Sequence, residues 1–145
     1  MKELELSKKE LDIILYLCRL TANRMEDAYF LVRPLDKISD HVVCFMEVVW
    51  VEADGNYSHI HLMGKRYVSV SMNIGQVEAI LNTSPDGSFI RINRSTIISL
   101  RWLNRMDVNL LYLISCPVPF TVSAVYRDKF NKRMSLFCSL KKGKR

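Results

Sequence analysis

Nothing in this 145-residue chain approaches the roughly 20 consecutive apolar residues that a helix needs to cross a bilayer. The opening MKELELSKKELD alternates charge and has neither an apolar core nor a small-residue cleavage site, so it does not read as a secretory signal. None of the four cysteines (Cys18, Cys44, Cys116, Cys138) forms a C-x-x-C pair. Their wide spacing argues against a zinc cage or a disulfide frame, and it predicts buried small hydrophobes in a reducing cytoplasm. In such a compartment the N-x-S triplets at Asn56, Asn82 and Asn93 carry no glycan. There is no G-x-S-x-G, no phosphate-cradling glycine loop, no placed Cys–His pair, no internal repeat and no low-complexity segment. No catalytic set and no cofactor are therefore expected.

An apolar fraction of 49% with 25% charged residues is ordinary for a chain that buries a core. The net charge of +6 is unevenly spread. Residues 1–28 hold five Lys/Arg against six Asp/Glu, whereas residues 29–145 hold sixteen against nine. The excess basicity lies in the main body, as a surface facing a polyanion requires.

Along the chain, Ser7 and Glu10 form a capping box ahead of a helix. Leu11, Ile14, Leu15, Cys18, Ala22 and Met25 give that helix one apolar stripe. The stripe leaves three readings open: packing on its own domain, pairing with a second copy, or the remnant of a linker. The texture then turns to strands. Tyr29–Val32, Val42–Met46 and Val48–Ala53 come first, the last apolar on nearly every position, as in a strand covered on both faces. Asp54-Gly55-Asn56 reverses the chain into Tyr57–Leu62, and Met63-Gly64 reverses it again into Arg66–Val70. Asn73–Leu81 reads as a short helix with Ile74, Val77, Ala79, Ile80 and Leu81 inward, and Phe89–Ile92 as a strand. Leu103–Met106, Leu110–Ser115 and Val118–Val122 follow as strands, with Pro117 and Pro119 placing the last at an edge. Ser123 caps a final helix to about Phe137 with Val125, Tyr126, Phe130 and Met134 on one side. The expected organisation is an N-terminal helical extension at 1–28, one domain at 29–138 and a basic tail at 139–145.

With the blocks VVWVEADGNYSHIHL, FIRINRSTIISLRWLNRM and FTVSAVYRDKF in this order, residues 29–137 resemble the LytTR DNA-binding domain of bacterial two-component response regulators. The resemblance implies a mainly β fold, an elongated stack of antiparallel sheets with one short internal helix and a C-terminal helix. It also implies double-stranded DNA as partner, held by loops and not by a helix-turn-helix, in a transcriptional regulator. The residues before Tyr29 are too few for a receiver domain, so regulation is expected to reach this domain by another route. A homodimer on repeated sites, through the N-terminal helix, is a further option.

The residue chemistry agrees with three contact regions. Asn56 sits at a hairpin tip, where an amide can pair with adenine N6/N7 or bond a phosphate. Arg91, Arg94, Arg101 and Arg105 fall in one fifteen-residue stretch free of acids until Asp107. There Arg91, Asn93, Arg94 and Ser95 offer guanidinium forks and neutral donors to bases and phosphates. The competing reading is a solvated basic loop, or salt bridges to Glu52 and Asp54. Ser123 opens the last helix, whose free N–H groups suit a phosphate, followed by Arg127, Lys129, Lys132 and Arg133. Family members usually carry Arg or Lys directly after this serine, and Ala124 stands there instead. Two other functions compete. Tyr57, His59 and His61 share one strand face near Glu52 and Asp54, which suggests a metal enzyme that lacks a well-spaced third ligand. The residue 11–25 stripe and Ala124 suggest an interaction module that inhibits another regulator by pairing with it.

Overall fold

The computed structural model describes residues 7–14, 17 and 29–142, with side chains up to Cys138. Residues 8–14 and 17 are helical (α1). The Glu10 N–H donates to Ser7 Oγ at 3.1 Å, and Ser7 Oγ donates to Glu10 Oε1 at 3.0 Å. Leu11 lies over the β-turn glycine Gly64: a Cβ on that glycine would stand 2.9 Å from Leu11 Cδ2. The remaining stripe residues Leu15, Cys18, Ala22 and Met25 lie outside the described residues.

Among the described residues ten strands follow, arranged in three antiparallel sheets. β1 (Tyr29–Val32) pairs with β2 (His41–Cys44). The middle sheet runs β5-β4-β3-β7-β6, from β3 (Val48–Asp54), β4 (Tyr57–Leu62), β5 (Arg66–Val70), β6 (Phe89–Asn93) and β7 (Thr96–Ser99). The third sheet runs β10-β9-β8, from β8 (Leu103–Asp107), β9 (Leu110–Leu113) and β10 (Phe120–Thr121). Two further helices complete the domain, α2 (Ile74–Leu81) and α3 (Ala124–Lys142).

The middle sheet is covered on both faces, and side-chain alternation divides its residues between two cores. Val48, Val51, Ile60, Leu62, Val70, Phe89 and Ile97 join Phe30, Val32, Val43 and Phe45 on one side, where α2 inserts Ile74, Val77 and Leu81. Val49, Ile90, Ile92 and Ile98 join Leu111, Leu113, Val122 and Phe130 on the other. This explains the apolar start of β3: Val48, Val49 and Val51 are buried in the two cores, whereas Glu52 and Asp54 near its end reach solvent. The Asn73 side chain caps α2, accepting from the Gln76 N–H at 2.9 Å while Gln76 Oε1 accepts from the Asn73 N–H at 2.9 Å. Trp102 Nε1 donates to Met46 O at 2.9 Å, fastening the third sheet to the turn before β3.

Several local expectations change. The basic block conceals a strand: Thr96–Ser99 is wholly buried and pairs with both β3 and β6. β2 stops at Cys44, because Phe45–Glu47 forms a turn of 3-10 helix in which Glu47 Oε1 accepts from the Cys44 N–H. The last strand shrinks to Phe120–Thr121, on the sheet edge where its prolines placed it. Ala79 is exposed, and Val125 is 88% exposed, not inward: α3 packs through Tyr126, Phe130, Met134 and Phe137, one residue of phase away. The helix also runs past Phe137 to Lys142, through the start of the expected tail. Cys44, Cys116 and Cys138 form no disulfide with one another, and of these three only Cys44 is buried.

Candidate nucleic-acid interface

Three loops far apart in sequence meet at one end of the middle sheet, joined by hydrogen bonds. The first is the β3–β4 turn, where Asp54 pairs with Tyr57 across Gly55-Asn56. Gly55 takes φ +61°, a conformation that costs a glycine nothing, and Asn56 is left exposed at the tip. One residue before this turn, the Ala53 N–H donates to Ser95 O at 2.8 Å, which draws the β6–β7 turn alongside. In that second turn Asn93 Oδ1 accepts from the Ser95 N–H at 2.9 Å and from Ser95 Oγ at 3.1 Å. The Asn93 amide donates at 3.4 Å to Thr121 O, at the end of β10. The Ser123 N–H donates to Ile92 O at 2.9 Å, so the start of α3 is pinned to the same strand end.

The arginines divide sharply in role. Arg91 is mostly buried and fully engaged, with Nη1 donating to Glu78 Oε1 at 3.1 Å, Nε to Asn93 O at 3.1 Å and Nη2 to Arg94 O at 2.6 Å. It holds the second turn from beneath. Arg101 pairs with Asp86 and Arg105 with Asp107, while Arg105 also lies 3.9 Å from the centroid of the Tyr112 ring. Arg133 donates to Gly87 O and Phe89 O at the opposite end of β6. Arg127 donates to Val122 O at 3.2 Å and to Asn109 Oδ1 at 3.0 Å. Arg94 and Lys129 are exposed, and among the described residues neither side chain makes a hydrogen bond or ion pair. The salt bridges weighed from sequence do form, but to Glu78, Asp86 and Asp107 and not to Glu52 and Asp54.

Those two acids belong to the histidines. His59 Nε2 lies 3.0 Å from Asp54 Oδ2 with its Nδ1 2.6 Å from Ser69 Oγ, and His61 Nε2 lies 2.8 Å from Glu52 Oε1. His61 also stacks on Trp50 with ring centroids 4.0 Å apart. Among the described residues no cluster of three or more His, Cys, Asp or Glu side chains is placed to hold a metal ion. Among them, too, no helix is long and apolar enough to cross a membrane. Ser123 accepts the Tyr126 N–H on its carbonyl at 3.0 Å, closing the first turn of α3, and Ala124 beside it is exposed. Sequence reasoning passed over one further loop, the β8–β9 turn at Val108-Asn109. The Arg127–Asn109 bond brings it to the same end, and its signal was the turn chemistry of Asp107 and Asn109.

Comparison with known proteins matches residues 39–135 to the LytTr DNA-binding domain family. A solved chain described as the LytTr DNA-binding domain of a methyl-accepting/DNA response regulator from Bacillus cereus superposes with a TM-score of 0.60 at 20% identity. That superposition covers 74% of this chain and 96% of the other. Comparison with curated protein sequences gives no match. With two thirds of its length matched and its three-sheet fold shared, the chain belongs to the LytTr DNA-binding domain family.

Proposed function

We propose that the chain reads a specific double-stranded DNA sequence through the loops at this end of its sheets, and acts as a transcriptional regulator. Family membership supplies the DNA-binding role. The observation that carries the finer reading is the joining of the β3–β4 turn, the β6–β7 turn and the start of α3, with the Arg94 guanidinium left unpaired while the other described arginines are engaged. In this reading Asn56, Arg94 and Ser95 meet base edges or phosphates, and Ser123 with the first turn of α3 and Lys129 face the backbone. Arg91, Asn93 and Arg127 hold the loops in register and act as positioning residues. Ala124 withholds one basic contact, so the grip rests mainly on the first two turns.

The test is selection of a bound duplex from a random pool, followed by affinity measurement at several salt concentrations. A DNA reader enriches a defined sequence and loses affinity as salt rises, because phosphate contacts release counterions. Arg94→Ala should weaken the selected duplex by about 1–3 kcal/mol without altering thermal stability. Failure to enrich any sequence refutes the reading and favours the interaction module.

A further inference from the structure

We propose that Val108, at the tip of the β8–β9 hairpin, is a further DNA-contacting residue and recognises the C5-methyl group of a thymine. The inference rests on the DNA-reading function above and extends it to a side chain with neither charge nor hydrogen-bonding group.

Placement comes first. Leu110 pairs with Thr121, whose carbonyl accepts from Asn93, so the hairpin tip lies beside the loops already described. Arg127 bridges the tip to the start of α3 through Asn109 Oδ1 and Val122 O. The four loops thus form one joined row: Gly55-Asn56, Arg94-Ser95, the start of α3, and Val108-Asn109.

The tip residue itself is unusual in two ways at once. Val108 is 94% exposed, and its φ is +49°. A single exposed apolar side chain needs no explanation. A β-branched residue in the left-handed region is a true outlier, because its Cβ substituents crowd the backbone there, and such strain concentrates at functional positions. Nothing inside the fold rewards the valine, since its side chain stands in solvent. The hairpin below it is firmly held: Arg105 pairs with Asp107 and covers the Tyr112 ring, and Asn109 is fixed by Arg127. A rigid tip loses little freedom on docking. Asp107, the acid nearest the tip, is paired with Arg105 and so repels a phosphate less. An isopropyl group offers only apolar contact, and the apolar feature of a base edge in the major groove is the thymine methyl.

The test uses the full chain, the duplex selected by the wild type, and a scan replacing each thymine in turn by uracil. Val108→Gly should fold with an unchanged or higher Tm, because glycine adopts this φ without strain. It should bind the selected duplex at least about four-fold more weakly, the ratio for withdrawing one methyl-sized group from apolar contact. The wild type should lose a similar factor at one thymine position, and Val108→Gly should be indifferent there. Equal affinity of the two proteins overturns the proposal. So does a weaker Val108→Gly whose uracil profile matches that of the wild type, since the contact would then not be a thymine methyl. A wild type that selects a sequence and depends on Arg94 but not on Val108 keeps the DNA-reading function and removes only this contact. A wild type that selects no sequence removes both.

Discussion

Replacing Arg91 by methionine separates a strut from a contact. The side chain is 16% exposed and donates three hydrogen bonds: to Glu78 Oε1, Asn93 O and Arg94 O. Its guanidinium lies 6.0 Å from the Tyr126 ring centroid. Methionine keeps the apolar stem and loses every donor. Hydrogen bonds to a charged group contribute about 1.5–3 kcal/mol each when fully removed from water. Glu78 is 25% exposed and regains water once unpaired, and the two carbonyls lie at a turn near solvent, so the sum is well below three full bonds. A loss of about 2–3 kcal/mol is expected, which for a domain of this size lowers Tm by about 8–12 °C. DNA affinity should fall too, because Asn93 and Arg94 lose their support from beneath, yet the slope of affinity against salt should stay unchanged. Arg94→Ala should give the opposite pattern, with Tm retained and DNA binding weakened. Thermal melts paired with salt-dependent binding titrations read both quantities. An Arg91→Met protein with wild-type Tm and a salt slope shallower by about one phosphate would refute the strut and make Arg91 a direct contact.

Two further expectations follow from side chains that are already paired. Burial raises the Asp86 carboxyl, but hydrogen bonds from Ser84, Ser88 and Arg101 and the charge of Arg101 outweigh it and hold the group below its ordinary 3.8. A depressed folded value contributes stability above pH 3.8 that is lost as pH falls through the folded value, so Asp86→Asn should flatten the acid limb of Tm against pH; an unchanged limb in that range counts against it. The salt dependence of DNA binding should itself be shallow for a +6 chain, because among the described side chains of the β6–β7 turn and of α3 as far as Cys138 only the cations of Arg94, Lys129 and Lys132 are exposed and unpaired. With about 0.9 counterions released per phosphate, the logarithmic slope should be about −2 to −3 per protomer, and a slope near −6 would mean that the paired arginines release their acids on binding.

The parts of the fold legible in the sequence were those with a strong local signal. The meander β3–β4–β5 announces itself through Gly55-Asn56 and Gly64, and α2 through Asn73 and Gln76, since turn and cap chemistry act within four residues. β7 escaped because Thr96–Ser99 offers four consecutive buried positions with no alternation, flanked by the arginines that drew attention as a polar block. Phase on α3 was misjudged at Val125 because the partner surface, β6 and the third sheet, is not written in the helix. The candidate site was legible as residue types and illegible as an assembly. Ser95 and Ala53, Asn93 and Thr121, Ile92 and Ser123 are joined largely through main-chain groups, which every residue carries alike.

The same limit governs the cations. A count along the sequence treats Arg91, Arg94, Arg101 and Arg105 as one basic patch, but a guanidinium next to a carboxylate adds almost nothing to the field a phosphate sees. The neutralising acids come from α2, from the loop before β6 and from β8 itself. What the pairing provides is geometry: Arg91 fixes the carbonyls of Asn93 and Arg94, and a turn held in this way presents Arg94 outward at little ordering cost. Among the described residues Arg91, Arg105 and Arg127 thus brace the loops, and the proposed reading leaves Arg94 among the arginines to touch the DNA. Under the proposed sequence-reading function this is the more useful division, because phosphate contacts raise affinity for every duplex alike, whereas a rigid Arg94 or Asn56 would discriminate among base edges. Ala124 fits the same proposal: one general contact fewer beside a pinned helix start would lower overall grip while leaving the two turns in place.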